Sequence, residues 1–278
     1  MVTSLLILAL GAAPLKVGVT LHPYYSWTAK VAQGLPVEVR PVLPGDVDVG
    51  NYQPRPQDVA RLKDLDVLII NGIGHDDFIT SILSASGNTA CKVVRLNETT
   101  ALLKNRRGGA PNSHTFLSFS NAIQQTYVVA RALGAMRPEL GAGLERNAAA
   151  YAKALRAQRA EAVRRLEKAR VRRVVTVHDG YSYLLQELGL TLIDVVEPAH
   201  GLVPSAAELG VVLKALDQEP VKVVLAEERF PLPLLDVLAE RGAQVVVVSH
   251  IATGDFTPER FEREMQANVD ALVAALAP

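Results

Sequence analysis

Short runs of β-branched and other apolar residues recur along the chain, each followed by a stretch in which apolar positions return at helical spacing. Residues 16–21, 37–42, 67–70 and 92–96 read as strands, and residues 26–32, 55–65 and 76–84 between them as helices. A second set follows, with strands at 173–177, 193–196, 221–225 and 244–248 and helices at 181–188, 206–217, 232–241 and 258–276. The Val/Ile runs are continuous rather than alternating. That pattern marks strands buried on both faces, hence parallel sheets covered by helices. Because β-α-β-α order occurs twice, the chain is predicted to be α/β, with two Rossmann-like lobes built on parallel sheets.

Between the two sets, residues 118–169 lack strand character, and their second part is rich in the helix formers Ala, Arg, Glu, Leu and Lys. Leu144, Tyr151, Leu155, Ala162 and Leu166 fall at spacings of seven and four, which gives one narrow apolar stripe. No Pro or Gly interrupts residues 144–171. A helix of that length spans about 42 Å and acts as a rigid strut that restricts hinge motion. The expected divisions are residues 14–138 for the first lobe, 139–170 for the linking backbone helix and 171–278 for the second lobe.

Composition narrows the function. Of 278 residues, 49% are hydrophobic, enough for two buried cores. Twenty-nine basic residues balance 29 acidic ones, which leaves no basic excess for a nucleic-acid surface. A single cysteine, Cys91, rules out an internal disulfide framework and any multi-thiolate zinc site, and its apolar neighbours make it a small buried hydrophobe. Residues 1–13 form an apolar run ending in small residues. They read as a signal peptide without a basic start, too short to span a membrane, and no cysteine follows for lipid attachment. The expected location is therefore periplasmic or extracytoplasmic, not as a lipoprotein; the alternative is a cytoplasmic protein whose first strand begins early.

The six histidines are the most informative residues. His22, His75, His178 and His250 each follow a predicted strand, His114 precedes the first linking helix, and His200 lies in a loop. Ligands of open parallel sheets bind outside the carboxyl ends of the strands. If the two edges face each other, imidazoles from both lobes can converge on one cation, and four nitrogen donors suit tetrahedral Zn²⁺. His200 reads as a surface or capping residue, while His22 could cap the following helix, line the cleft or join the ligands.

The chain also carries, in order, Thr20-Leu21-His22-Pro23, residues 45–54 and 66–78, His114 with its helix, His178-Asp179-Gly180-Tyr181-Ser182-Tyr183-Leu184, Val223-Val224-Leu225-Ala226-Glu227 and Asn268. In these segments it resembles the periplasmic metal-binding proteins of zinc and manganese ABC transporters, the ZnuA- and TroA-like cluster A-I, from Val17 onward. The resemblance implies a metal held in the cleft between two α/β lobes joined by a long helix. It also implies two ligands, His114 and His178. Gly50 stands where the family has its first histidine, and His75 is the nearest candidate to replace it. His250 stands for the family's last carboxylate, with Asp255 and Glu227 nearby, and residues 104–113 lack the His-rich loop of many zinc members.

The implied ligand set is His75, His114, His178 and His250. An all-imidazole set favours Zn²⁺ over Mn²⁺. Asp76, Asp77, Asp179 and Glu227 are candidates for orienting the rings, with helix capping the alternative for Asp76 and Asp179. The implied function is capture of Zn²⁺ and delivery to an inner-membrane ABC permease by a monomer that catalyses nothing. Release would need a modest shift of one lobe or loop against the strut. Two alternatives stay open: a zinc hydrolase with Glu227 as base, and a binding protein for an organic or chelated solute that stacks on Trp27, Tyr24 or Tyr25.

Overall fold

The computed structural model describes residues 13–198, 201–220, 222–227 and 230–277. The expected signal segment and His200 lie outside these residues, apart from Ala13. The first half forms β1 (Leu15–Val19), α1 (His22–Ala32), β2 (Val37–Pro41), α2 (Pro56–Ala60), β3 (Val67–Ile70), α3 (Phe78–Ser86) and β4 (Lys92–Arg95). Its four strands are all parallel, in the order β2-β1-β3-β4. After the connecting helices α4 (Phe119–Met136) and α5 (Gly141–Leu166), the second half repeats the scheme. It forms β5 (Arg173–Thr176), α6 (Ser182–Glu187), β6 (Thr191–Val195), α7 (Ala206–Asp217), β7 (Val223–Ala226), α8 (Leu232–Glu240), β8 (Gln244–Val247) and α9 (Arg260–Leu276). Its sheet is also parallel, in the order β6-β5-β7-β8. The inner strands β3 and β7 are buried at every position, as their unbroken apolar runs require.

Several boundaries differ from the sequence expectation for identifiable reasons. Helix α1 starts at His22 rather than residue 26, because Pro23 fits the first helical turn. Helix α2 stops at Ala60 instead of running to residue 65. Beyond it, Asp64 turns outward to pair with Lys16 and Arg40, and Asp66 accepts the Lys16 N–H. Helix α5 ends at Leu166, because Arg172 takes up the carbonyls of Leu166 and Glu167. Cys91 is half-buried at the edge of the core rather than fully inside it, and burial pushes its thiol up to about 11.

Helices α4 and α5 form an antiparallel hairpin, joined through the short 3₁₀ turn Pro138–Leu140. The predicted α5 stripe of Leu144, Tyr151, Leu155, Ala162 and Leu166 is buried along its length. Near its start Asn147 donates to the Val31 and Gln33 carbonyls, and Gly143 leaves room for Leu35 of the first lobe. Further along, Tyr151 donates to Glu262 and Gln158 to the Glu262 carbonyl, both on α9.

The last helix also reaches across the molecule. Ser26 of α1 donates to the Thr257 carbonyl, Lys30 pairs with Glu259, and Trp27 meets Phe261 edge-on with ring centroids 5.2 Å apart. One continuous buried apolar cluster therefore includes Leu15 of β1 and Leu276 of α9. Glu187, at the end of α6, caps α4 by accepting the Phe119 and Ser120 N–H groups. Among the described residues no helix is long and apolar enough to cross a membrane.

Candidate metal centre

Each sheet changes winding direction at an inner pair, β1/β3 in the first and β5/β7 in the second. Crevices at such points open beyond the carboxyl ends of the strands. His75 follows β3, His178 and Glu227 follow β5 and β7, His250 follows β8, and His114 lies on the chain leading into α4. All four histidines are at most 8% exposed.

The structure brings three of them to one point. A ring nitrogen from each of His114, His178 and His250 lies within 4.8 Å of the others. Ring centroids are 5.1 Å apart for His114–His178, 4.9 Å for His114–His250 and 4.8 Å for His178–His250. Two Zn–N bonds of about 2.1 Å at a tetrahedral angle span about 3.4 Å. A modest inward movement of the rings is enough to share an ion. His75 stands beside the three rather than among them, its ring 5.1 Å from His114 and 6.3 Å from His250.

Outer contacts at Nδ1 set the rings. His114 Nδ1 lies 3.0 Å from Asn112 Oδ1, His178 Nδ1 meets Glu227 Oε1, and His75 Nδ1 lies 3.3 Å from Ser113 Oγ. In a neutral imidazole a donating Nδ1 makes Nε2 the lone-pair atom, the form a metal requires. Gly180 supplies space: a Cβ there would sit 2.3 Å from His178 Nε2. The loop carrying His250 is pinned by Asn268 of α9, which accepts the Ser249 N–H and donates to the Ser249 carbonyl. Next to it, Ile251 adopts the left-handed conformation at φ 58°, which costs a β-branched residue about 1–3 kcal/mol and is held by burial.

Of the four carboxylates expected to orient rings, Glu227 does so. Asp76 instead ties its own loop, accepting from Thr20 and from the Asn71 and Gly72 N–H groups, and Asp77 accepts from Gly74. Burial raises the Asp76 carboxyl above its ordinary range. Asp179 accepts from Ser182 and from the Arg106 N–H. Asp255 is exposed. His22 lies apart from the cluster: its Nε2 is 2.8 Å from the Gly254 carbonyl and its ring stacks on Phe256 at 3.9 Å. Burial lowers its pKa to about 4, so it donates as a neutral ring. Trp27 and Tyr24 are fully buried in the core, so neither can stack on a solute in the cleft.

Gly50 sits in the 3₁₀ turn Val49–Asn51, capped by Asp48, and lines a cavity of about 170 Å³ with His75, Arg107, His114 and His178. A larger cleft of about 450 Å³ opens on the other side of His178 and His250, next to Glu227 and Phe230. Over the smaller cavity runs residues 103–112, a hairpin-like strap closed by a Lys104–Pro111 bridge. It leaves the first lobe and is anchored on the second. Arg107 pairs with Asp194, the Leu103 N–H donates to Tyr183 Oη, and Tyr183 Oη donates to the Asn112 carbonyl. Sequence reading missed Asn112 and the specific role of Gly180. The one available signal was Asn two residues before His114, a spacing at which Asn side chains bond the following backbone.

The family model described as zinc-uptake complex component A, periplasmic, matches residues 17–275. The Mn²⁺ complex of FpvC from Pseudomonas aeruginosa is 39% identical, with a TM-score of 0.87 over 95% of this chain and 98% of that one. The zinc-binding lipoprotein AdcA of Streptococcus pneumoniae is 23% identical over 93% of this chain; the match spans 55% of that protein's length. The high-affinity zinc uptake protein ZnuA of Bacillus subtilis is 22% identical over 84% of this chain and 78% of its own.

Proposed function

Since the chain belongs to the zinc-uptake component A (ZnuA) family of metal-binding, solute-binding proteins, we propose that it captures Zn²⁺ outside the cytoplasm and delivers it to an ABC transporter permease. In this reading His114, His178 and His250 hold the ion as cargo and His75 completes the set. The convergence of the first three rings, drawn from both lobes, is the observation that carries the reading. Imidazole donors favour Zn²⁺ over Mn²⁺, which prefers oxygen. Relatives named for zinc support the same choice, and the FpvC complexes with Mn²⁺ and Ni²⁺ support a divalent first-row ion.

The working parts are residues 14–138, the connecting helix 139–170 and residues 171–278, acting as a monomer. Members and structural neighbours of the family are binding proteins rather than enzymes. Glu227, the base a hydrolase would need, is engaged with His178 Nδ1. Isothermal titration with Zn²⁺ tests the reading: wild type should take up one ion tightly, and the H114A/H178A double variant should show no stoichiometric binding. Undiminished uptake by the double variant would remove these residues from the site.

A further inference from the structure

Asn112 is fully buried, yet every polar part of its side chain and its carbonyl is used. Its Oδ1 accepts from the His114 backbone N–H at 2.9 Å and faces His114 Nδ1 at 3.0 Å. Its Nδ2 donates to the carbonyl of Asp179, the residue after His178. Its own carbonyl accepts from Tyr183 of α6. One amide thus touches the histidine contributed by the first lobe and the backbone beside the histidine contributed by the second.

We propose that Asn112 is a positioning residue for metal capture. It selects the His114 tautomer that carries its lone pair on Nε2, and it links that ring to the His178–Asp179 segment, so the two rings keep their separation across the lobe junction. The proposal rests on the metal-site reading above and deepens it.

The chemistry explains why an amide serves here. A neutral Nδ1–H needs an acceptor, and the Asp179 carbonyl needs a donor; Asn supplies both in one group without adding charge. A carboxylate would keep the acceptor and lose the donor. An apolar side chain would lose both and leave the Asp179 carbonyl without this donor. Removing such an outer partner commonly weakens metal affinity 10–100-fold.

The test uses the full chain and Zn²⁺ alone, titrated in competition with a chromophoric chelator, for wild type, N112A, N112L and N112D. N112A and N112L should bind Zn²⁺ about 10–100-fold more weakly. N112D, which retains the acceptor for His114 but loses the donor to the Asp179 carbonyl, should recover part of that loss. In the Co²⁺-loaded proteins the visible ligand-field band should shift and weaken in N112A and N112L and be partly restored in N112D, a change that mere loosening of the fold would not produce. Wild-type affinity in N112A, or N112D no better than N112L, overturns the positioning role. Absence of Zn²⁺ binding by wild type would instead overturn the functional reading on which it rests.

Discussion

At the scale of single residues the site depends as much on what is missing as on what is present. Gly180 has no side chain, and the His178 ring occupies the space a Cβ would take. Substituting G180A should push that ring out of the cluster and weaken Zn²⁺ binding by about tenfold or more, while circular dichroism stays native; unchanged affinity by titration would show that the loop yields freely. The histidines themselves were legible in the sequence. Those that follow Val/Ile runs must lie at strand ends, and strand ends are where parallel sheets present ligands. Asn112 was not, because its partner at Asp179 is 67 residues away and no local pattern encodes that pairing. Asp76 misled for the opposite reason: its position beside His75 suggested a ring partner, but backbone N–H groups in its own loop were closer and needed an acceptor.

At the scale of elements, periodicity located nearly every strand and helix, and it erred at helix ends, where side chains just beyond the segment make bonds that the apolar pattern does not register. Arg172 ending α5 and Asp64 drawn outward beyond α2 are such cases. The hairpin of α4 and α5 depends on a contact that periodicity cannot show. Glu187 of α6 caps the amino end of α4, where its charge meets both exposed N–H groups and the positive end of the helix, and Arg159 of α5 pairs with the same carboxylate. Replacing it in E187A leaves those donors without their carboxylate. The expected loss is about 1–3 kcal/mol in urea unfolding of the metal-free protein. A midpoint equal to wild type would mean that water caps α4 equally well.

At the scale of the whole molecule, the two-lobe plan was evident from the repeated β-α order, but the way the lobes are fastened was not. Sequence assigns α9 to the second lobe, whereas the structure also lays it against α1 and α5. Beside it, Gly45 accepts from the Gly254 N–H at 2.6 Å, so close that a Cβ at Gly45 would lie 2.3 Å from the Gly254 carbonyl oxygen. His22 bonds to that carbonyl and makes the seam sensitive to acid. Its pKa is about 4 when folded against 6.5 ordinarily, so below about 6.5 the unfolded chain binds a proton that the native one refuses. Stability is therefore fully present above that pH and declines as pH falls toward 4, by up to about 3 kcal/mol from this group. The fall in melting temperature between pH 7 and pH 4.5 should be about 5 °C smaller in H22Q than in wild type; an equal fall would assign the acid loss elsewhere. The packing of Trp27 against Phe261 has a further consequence for biogenesis. The first lobe emerges from the ribosome early and supplies Tyr24 as one neighbour of the chain's single tryptophan, yet the side of the indole that meets Phe261 has no partner there until residues 260–276 have been synthesised. Nascent chains cut short of that point should expose this surface to chaperones, and the fluorescence of that one indole would report when the last helix docks.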